Sequence, residues 1–94
     1  MSESEWRNAV REVRDHEPPL ALLGGSTGTE VIARLIPEAA DRLREAGWLL
    51  FEISPMIESR VRSLIAKEDR FRNLSVFKDF AGLARVVQVQ LRRS

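Results

Sequence analysis

Two stretches in the first half of the chain place apolar side chains at helical spacing. In the first, Trp6, Val10 and Val13 recur at intervals of four and three residues, which predicts a short amphipathic helix over residues 4–14. A tandem proline follows and should end this helix, because proline lacks a backbone N–H and restricts the residue before it. We expect residues 15–28 to form a loop.

The second helical stretch begins with a capping box. Thr27 and Glu30 have the spacing at which a hydroxyl and a carboxylate each accept a hydrogen bond from a free backbone N–H. The apolar positions that follow predict a helix over residues 29–46. Pro37 lies inside it and should kink or break it, because proline deletes one helical hydrogen bond. Gly47 is expected to end the helix in the left-handed conformation.

The second half of the chain predicts strands around one helix. Residues 48–54 form an apolar run between a glycine and a proline, which is typical of a strand buried on both faces. Ser54 should cap the helix that follows, over residues 56–67. Two more strands are predicted at 74–78 and 85–91. The last of these alternates apolar and polar residues, which indicates antiparallel pairing with one less buried face.

Length and composition fit one α/β domain. The chain has 94 residues, of which 44% are hydrophobic and 31% charged, as in ordinary globular proteins. We therefore expect a single domain over residues 1–94. It would consist of a helical arm at 4–14, a loop at 15–28 and an αβαββ core at 29–94.

Charge and hydropathy exclude several classes of function. The net charge is +1, and the basic residues are interspersed with acidic ones, so we expect no direct binding of nucleic acid. There is no cysteine to form a disulfide or a thiolate metal site. No apolar run approaches the ~20 residues that span a bilayer, and the polar, acidic start is unlike a signal peptide. We expect no membrane association and a cytoplasmic location.

Three runs of residues carry a family resemblance. They are Val13-Arg14-Asp15-His16-Glu17-Pro18-Pro19-Leu20-Ala21-Leu22-Leu23-Gly24-Gly25, then Phe51-Glu52-Ile53-Ser54, and finally Asp79-Phe80-Ala81-Gly82-Leu83-Ala84-Arg85-Val86-Val87. In this order they resemble the HemK-like protein-(glutamine-N5) methyltransferases, which modify peptide chain release factors. The resemblance covers roughly residues 12–92. The Asn-Pro-Pro-Tyr loop and the glycine-rich cofactor loop of that family do not occur in this sequence.

The resemblance implies a fold. The chain would form the carboxyl-terminal half of a Rossmann-like class I methyltransferase sheet, with about three helices. Its three strands would be the fifth, sixth and seventh of that sheet in the spatial order 5-7-6, the last one antiparallel. The family's fourth strand is absent from the sequence, so strand 48–54 would lie at an exposed edge. An uncovered edge invites pairing with another chain, and we expect a possible homodimer through it.

The resemblance also implies a substrate-binding role for Glu17 and Pro18. In the family this segment lies beside the catalytic loop and helps to wall the pocket for the substrate glutamine. A carboxylate there could orient the amide by charge-assisted hydrogen bonding. The alternative interpretation is that Glu17 only caps or stiffens a turn. No catalytic, cofactor-binding or metal-binding residue is predicted in this chain.

The remaining candidate residues have structural interpretations. His16 is the only histidine, and packing or partial exposure is favoured over metal binding, which needs several converging ligands. Glu52 is interpreted as a strand-end carboxylate that bonds nearby backbone. The glycines of residues 24–28 are interpreted as a structural loop, because the lysine of a phosphate-binding loop is missing and no strand is predicted before them. Ser54, Pro37 and Leu83 depart from the family pattern.

These observations lead to one functional hypothesis and one alternative. The chain is expected to be the carboxyl-terminal part of an S-adenosyl-methionine-dependent protein-glutamine N5-methyltransferase that acts on peptide chain release factors. It would be inactive alone and would bind no cofactor by itself. The alternative is a stand-alone, non-catalytic interaction or dimerisation module with half of a Rossmann fold.

Overall fold

The computed structural model describes residues 2–13 and 15–93, apart from the side chains of residues 26 and 27. Within this part, the chain folds into helices packed on one mixed β-sheet. In chain order the elements are α1 (Glu3–Ala9), β1 (Val10–Val13), β2 (Leu20–Thr27), α2 (Thr29–Arg42), β3 (Trp48–Ile53), a 3₁₀ turn (Pro55–Ile57), α3 (Glu58–Ala66), β4 (Phe71–Lys78) and β5 (Ala84–Leu91).

The described strands form one sheet in the order β1-β2-β3-β5-β4. The β2–β3 pair is parallel, and every other neighbouring pair is antiparallel. β5 therefore lies between β3 and β4, antiparallel to both. This confirms the predicted α/β class and the 5-7-6 order with a reversed last strand.

The amino-terminal third differs from the prediction. The helix expected over residues 4–14 ends at Ala9 and continues as β1, and the loop expected over 15–28 contains β2. Both strands pair because each has a buried apolar side chain: Val10 of β1 lies opposite Leu23 of β2. The spacing of Trp6, Val10 and Val13 fits a helix. Residues 10–13 form a strand instead, because their backbone N–H and C=O groups pair with those of β2.

β2 also corrects the expectation of an exposed edge. Leu20–Leu23 pairs in parallel with Trp48–Phe51, so strand 48–54 has neighbours on both sides. Its backbone N–H and C=O groups are already bonded within the chain. A homodimer through that edge is therefore excluded by the pairing.

Helix α2 is shorter than predicted and begins differently. Gly28 is the N-cap residue and provides no side-chain hydrogen bond. Thr27 belongs to β2, and its side chain, which the predicted capping box required, lies outside the described residues. The helix continues through Pro37 to Arg42 as one element, so no break occurs at the proline.

The end of α2 is held by other residues than the one predicted. Ala46, with a φ of 67°, takes the left-handed conformation that was expected of Gly47. The guanidinium group of Arg93 donates hydrogen bonds to the carbonyl oxygens of Ala40 and Leu43, at 3.0 and 2.9 Å. These bonds satisfy carbonyl groups that have no partner within the helix.

The next helix also starts without its predicted cap. Ser54 stands at the N-cap position of the 3₁₀ turn, but its side chain makes no capping hydrogen bond. Pro55 occupies the first position of that turn, where its missing N–H costs nothing. The α-helical part then begins at Glu58.

The core lies between the helices and one face of the sheet. On β3, Leu49, Phe51 and Ile53 are buried, whereas the alternate residues are half-buried or exposed. The other buried apolar residues are Trp6, Val10, Ala21, Leu23, Ile32, Leu35, Ile36, Ala39, Ala40, Leu43, Val61, Ile65, Phe71, Ala84, Val87, Val89 and Leu91. One hydrophobic cluster contains them all.

Trp6 fixes α1 to the rest of the molecule. Its indole N–H donates a hydrogen bond of 2.9 Å to the carboxylate of Glu12 on β1. The guanidinium carbon of Arg42 lies 4.9 Å from the centre of the indole ring, within the range of a cation–π interaction. Because Glu3 and Trp6 of α1 contact Arg42 of α2, and α2 packs against α3, the described helices all lie on the same face of the sheet.

Candidate functional site

The carboxyl ends of β2 and β3 lie at the same edge of the sheet, because the two strands are parallel. In open α/β sheets this is the edge where ligands bind. Pairing between the strands is interrupted after Leu23 and resumes at Ser26, so Gly24 and Gly25 form a bulge. Gly25 has a φ of 74°, a conformation that side chains with a Cβ disfavour. The bulge leaves backbone without side chains beside the end of β3.

A shallow depression of about 340 Å³ lies against this bulge. Its lining residues are Leu22, Leu23, Gly24, Gly25, Leu50, Phe51, Glu52 and Val86. Glu52 is its one carboxylate, and this side chain is exposed. The expected hydrogen bond from nearby backbone to Glu52 is not found among the described residues. The depression is mostly apolar, and by itself it does not form an enclosed cofactor pocket.

The glycine-rich segment over residues 24–28 is not a free loop. It forms the end of β2 and the N-cap of α2. The expectation that no strand precedes it is therefore wrong, because the leucines before it pair with β3. It still lacks the lysine of a phosphate-binding loop.

Glu17 and Pro18 lie at the opposite end of the strand pair. They belong to the turn that leads into the amino end of β2, and the peptide bond between them is cis. Glu17 is exposed and Pro18 is half-buried. The turn is held to the start of β3, because the N–H of Trp48 donates a hydrogen bond of 2.8 Å to the carbonyl of Pro19. The structure thus separates Glu17 from Glu52 by the length of the strands.

His16 takes part in the same turn. Its Nδ1 lies 2.7 Å from the carbonyl oxygen of Pro18. Because a carbonyl can only accept, the imidazole must donate its proton from Nδ1. Among residues 2–13 and 15–93, no three His, Cys, Asp or Glu side chains are grouped as metal ligands would be.

A second depression, of about 190 Å³, lies beside this turn. Pro19, Leu20 and Arg42 are among its lining residues. The guanidinium group of Arg42 is engaged in an ion pair of 2.7 Å with Glu3. The hydrogen bond from Arg42 lowers the pKa of the Glu3 carboxyl, and the same bond raises the pKa of Arg42. The ion pair of Arg42 with Glu3 therefore holds α1 against α2.

The turn between β4 and β5 explains the third run of the sequence resemblance. One carboxylate oxygen of Asp79 accepts hydrogen bonds from the N–H groups of Ala81 and Leu83, at 2.9 and 3.0 Å. The other accepts a bond of 2.8 Å from the guanidinium group of Arg85. Gly82 has a φ of 80°. The bond from Arg85, followed by that from Leu83, lowers the pKa of Asp79. Aspartate, glycine and arginine in this run thus build a turn.

Several large apolar side chains are exposed at the same edge as the carboxyl ends of β3 and β4. Met56 follows β3, and Phe80 and Leu83 lie in the turn after β4. Sequence reasoning quoted Phe80 and Leu83 only as part of the third run, with Leu83 as a departure from the family pattern, and it did not select Met56. Single apolar residues in turns carry no periodic signal. Within the described residues, no helix is both long and apolar enough to cross a membrane.

This arrangement defines the class of protein. A parallel strand pair, a reversed strand inserted between β3 and β4, and helices on one face form part of a Rossmann-like α/β sheet compatible with the carboxyl-terminal half of a class I methyltransferase. No family model matches the chain, and no solved structure matches it.

Comparison with curated proteins names the relatives. The chain is 38% identical over 90 residues to a release factor glutamine methyltransferase of Rhodopirellula baltica, covering 96% of this chain and 30% of the relative. It is 34% identical over 87 residues to one from Koribacter versatilis, covering 93% and 30%. For one from Nitratidesulfovibrio vulgaris the identity is 40% over 88 residues, covering 93% and 30%. The chain is therefore homologous to the carboxyl-terminal part of release factor glutamine methyltransferases, which confirms the resemblance. It spans about 30% of the length of these relatives.

Proposed function

We propose that the chain supplies the carboxyl-terminal part of an S-adenosyl-methionine-dependent protein-glutamine N5-methyltransferase that acts on peptide chain release factors. The observation that carries the proposal is the 38% identity over 90 residues to a protein of that name. The position of β5 between β3 and β4 supports it. A release factor would be the protein substrate, and the cytoplasm, where release factors act in translation, would be the location.

The role of this chain in the reaction is to complete the sheet and to wall the acceptor site. The described residues form only a shallow depression with one carboxylate at the carboxyl ends of β2 and β3. We therefore assign the binding of S-adenosyl-methionine to the amino-terminal part of the enzyme. The chain alone is expected to be inactive.

A fusion protein tests this proposal. The amino-terminal part of the Rhodopirellula baltica relative, up to the matched region, would be joined to this chain. We expect the fusion to transfer labelled methyl groups from S-adenosyl-methionine to a purified release factor, and each part alone to transfer none. A fusion that binds S-adenosyl-methionine in calorimetry but leaves the release factor unlabelled would contradict the proposal.

The acceptor-site role of Glu17 and Pro18 belongs to the same proposal. In the fusion, Glu17→Gln should lower the methylation rate about ten- to hundredfold, because a charge-assisted hydrogen bond contributes ~1.5–3 kcal/mol. Glu52→Gln is the matched control, since both carboxylates are exposed, and its rate should stay within about twofold. Pro18→Ala separates a change of turn shape from loss of charge. If Glu52→Gln lowers the methylation rate and Glu17→Gln does not, the acceptor site lies at the carboxyl ends of β2 and β3.

Two observations favour a second candidate, the stand-alone interaction module. β2 covers the edge of β3 that was expected to be open, and no buried side-chain N or O atom among the described residues lacks a hydrogen-bond partner. The chain thus satisfies this edge of β3 and its described buried side-chain polar atoms by itself. This candidate predicts cooperative unfolding of the chain alone together with an inactive fusion.

A further inference from the structure

The turn between β4 and β5 presents a phenylalanine to solvent. Phe80 is 111% exposed, and Leu83 in the same turn is 45% exposed. Met56, which follows β3 at the same edge of the sheet, is 91% exposed. The ends of β3 and β4 are two strand spacings apart, about 10 Å, because β5 lies between them. We call these three side chains the edge patch, and Phe80 and Met56 keep nearly all of their apolar surface in water.

Hydrogen bonds fix the backbone around Phe80. The carboxylate of Asp79 accepts from two backbone N–H groups of the turn and from Arg85. The N–H of Asp79 donates to the carbonyl of Leu83, and the N–H of Gly82 donates to the carbonyl of Asp79, both at 2.9 Å. A backbone that is already ordered loses little conformational freedom when a partner binds. The turn therefore holds Phe80 as a preorganised anchor.

The chemistry of the edge patch fits another protein. Aromatic and methionine side chains are enriched in protein–protein interfaces, where a few buried aromatic anchors supply most of the binding energy. Exposed apolar side chains that lie together mark such contact sites. The nearest charges of the turn, Asp79 and Arg85, are bonded to each other at 2.8 Å. The edge patch thus offers apolar surface to an apolar hollow on a folded partner.

The course of the chain favours a separate protein over the rest of the enzyme. The matched region is the carboxyl-terminal part of the relatives, so their remaining length precedes it. In this chain α1 leads into β1, and β1 lies at one margin of the sheet. Phe80 and Leu83 lie at the other margin, where β5 and β4 end the order of strands. A separate protein can reach this margin without competing with the residues that precede α1.

We propose that the edge patch docks the protein substrate of the methyltransferase, a release factor, with Phe80 as the central anchor. Specific protein–protein interfaces bury about 800 Å² on each partner, which is far more than one glutamine side chain provides. Recognition of a protein substrate therefore needs contacts outside the acceptor site. This inference rests on the proposed function and deepens it, because it names a surface that recognises the substrate protein as a whole.

Substitution of Phe80 in the fusion protein described above tests the anchor. Calorimetry gives the affinity for a purified release factor, and transfer of labelled methyl groups gives KM and kcat. Phe80→Ala should weaken binding and raise KM at least about tenfold, with kcat unchanged within about twofold. Phe80→Leu keeps an apolar anchor, so its affinity should stay within about threefold. Val31→Ala is the control, since Val31 is 41% exposed on α2, and its affinity should not change.

Single cysteines report what covers the edge patch, because the chain contains no cysteine of its own. Ala81→Cys places a thiol beside Phe80, and Ala66→Cys is the matched control at the far end of α3; both alanines are exposed. The rate of reaction with N-ethylmaleimide would be measured at each site by mass spectrometry in the chain alone, in the fusion, and in the fusion saturated with a release factor. The release factor should slow reaction at position 81 at least about tenfold, because interface cores exclude water. Reaction at position 66 should not change.

Slow reaction at position 81 in the fusion without a release factor would overturn the proposal, because the amino-terminal part would then cover the edge patch. Slow reaction in the chain alone that speeds up on dilution would also overturn it, since a second copy would be the occupant. Equal affinities of Phe80→Ala and the original fusion, or no binding of a release factor to the original fusion, would refute the docking surface. Binding that depends on Phe80 without methylation would refute only the proposed function, and methylation that does not depend on Phe80 would refute only the docking surface.

Discussion

Ala46 and Gly47 lie in the connection between α2 and β3. The structure predicts that Ala46→Gly stabilises the protein and that Gly47→Ala destabilises it. Ala46 has a φ of 67°, in the left-handed region where a Cβ costs roughly 1–2 kcal/mol. Its backbone is held there, because its N–H donates a bond of 2.7 Å to the carbonyl of Leu91. Ala46→Gly removes the strain, but glycine gives the unfolded chain more freedom. We expect the free energy of unfolding to rise by about 0.5–1 kcal/mol.

Gly47→Ala should act in the other direction. A Cβ on Gly47 would lie 2.9 Å from the carbonyl oxygen of Arg44 and 3.4 Å from that of Pro19. Both are backbone atoms, so the end of α2 or the turn before β2 would have to move. Overpacking of this kind costs about 1–3 kcal/mol. Gly24→Ala is the matched control, because its added Cβ would meet no atom within 4 Å.

Urea denaturation followed by circular dichroism measures all three variants on one scale, since a shift of the midpoint at constant slope reports stability. The expected order of stability is Ala46→Gly, then the original chain and Gly24→Ala, then Gly47→Ala. If Ala46→Gly lowers stability and Gly47→Ala lowers it as well, Gly47 and not Ala46 holds the left-handed position, since a Cβ is costly only there. The connection between α2 and β3 would then be shifted by one residue, as the sequence alone suggested.

Three further variants test other parts of the fold. Pro37→Ala should raise the free energy of unfolding by about 1–3 kcal/mol in urea denaturation, because α2 is continuous through a residue that lacks a helical N–H; a loss of stability would show that the proline begins a separate helix. Trp6→Ala should lower the free energy of unfolding by about 3–5 kcal/mol, since Trp6 is 3% exposed. Met56→Ala changes a 91% exposed position, so its free energy of unfolding should stay within about 0.5 kcal/mol of the original value. Asp79 has a pKa below its ordinary 3.8, so its stabilising contribution is present above that pH and is lost as the pH falls through the lowered pKa. The Asp79→Asn variant should therefore lose less stability than the original chain between pH 7 and pH 3. An equal loss in the two proteins would contradict the role of Arg85.

The second half of the fold could be predicted from the sequence because its signals agree with one another. The apolar run at β3 lies between a glycine and a proline, and β5 alternates apolar and polar residues. The order of the last three strands came from the resemblance and not from periodicity. Length, flanking residues and pattern pointed to the same element types in each case, and tertiary packing did not override them.

The first third could not be predicted, because short patterns are ambiguous. Trp6, Val10 and Val13 fit one face of a helix, yet Val10 and Val13 also fit a four-residue strand. The four apolar residues that begin β2 are followed by two glycines, which suggested a loop, and only the partner strand β3 shows that they form a bulge. Gly47 was assigned the left-handed position by the usual rule for helix ends. The structure needs a glycine there for space, so the left-handed position moved to Ala46.

The candidate site was predicted in part. The resemblance selected Glu17 and Pro18, and their role stays a prediction, since the turn lies at the amino ends of β2 and β3. Asp79 and Arg85 were quoted as part of a family run, and the structure adds that they organise a turn.

The position of β5 has a consequence for the order in which the molecule can assemble. Within the sheet of the described residues β4 pairs with β5 alone, and β5 follows β4 in the chain. During synthesis on a ribosome, β3 and β4 therefore emerge as two separate pieces with bare edges, and only the later strand can join them. A translation stop or a protease cut before residue 84 would leave one edge of β3 and the whole of β4 unpaired. The chain should consequently be most prone to aggregation after β4 and before β5 has been synthesised.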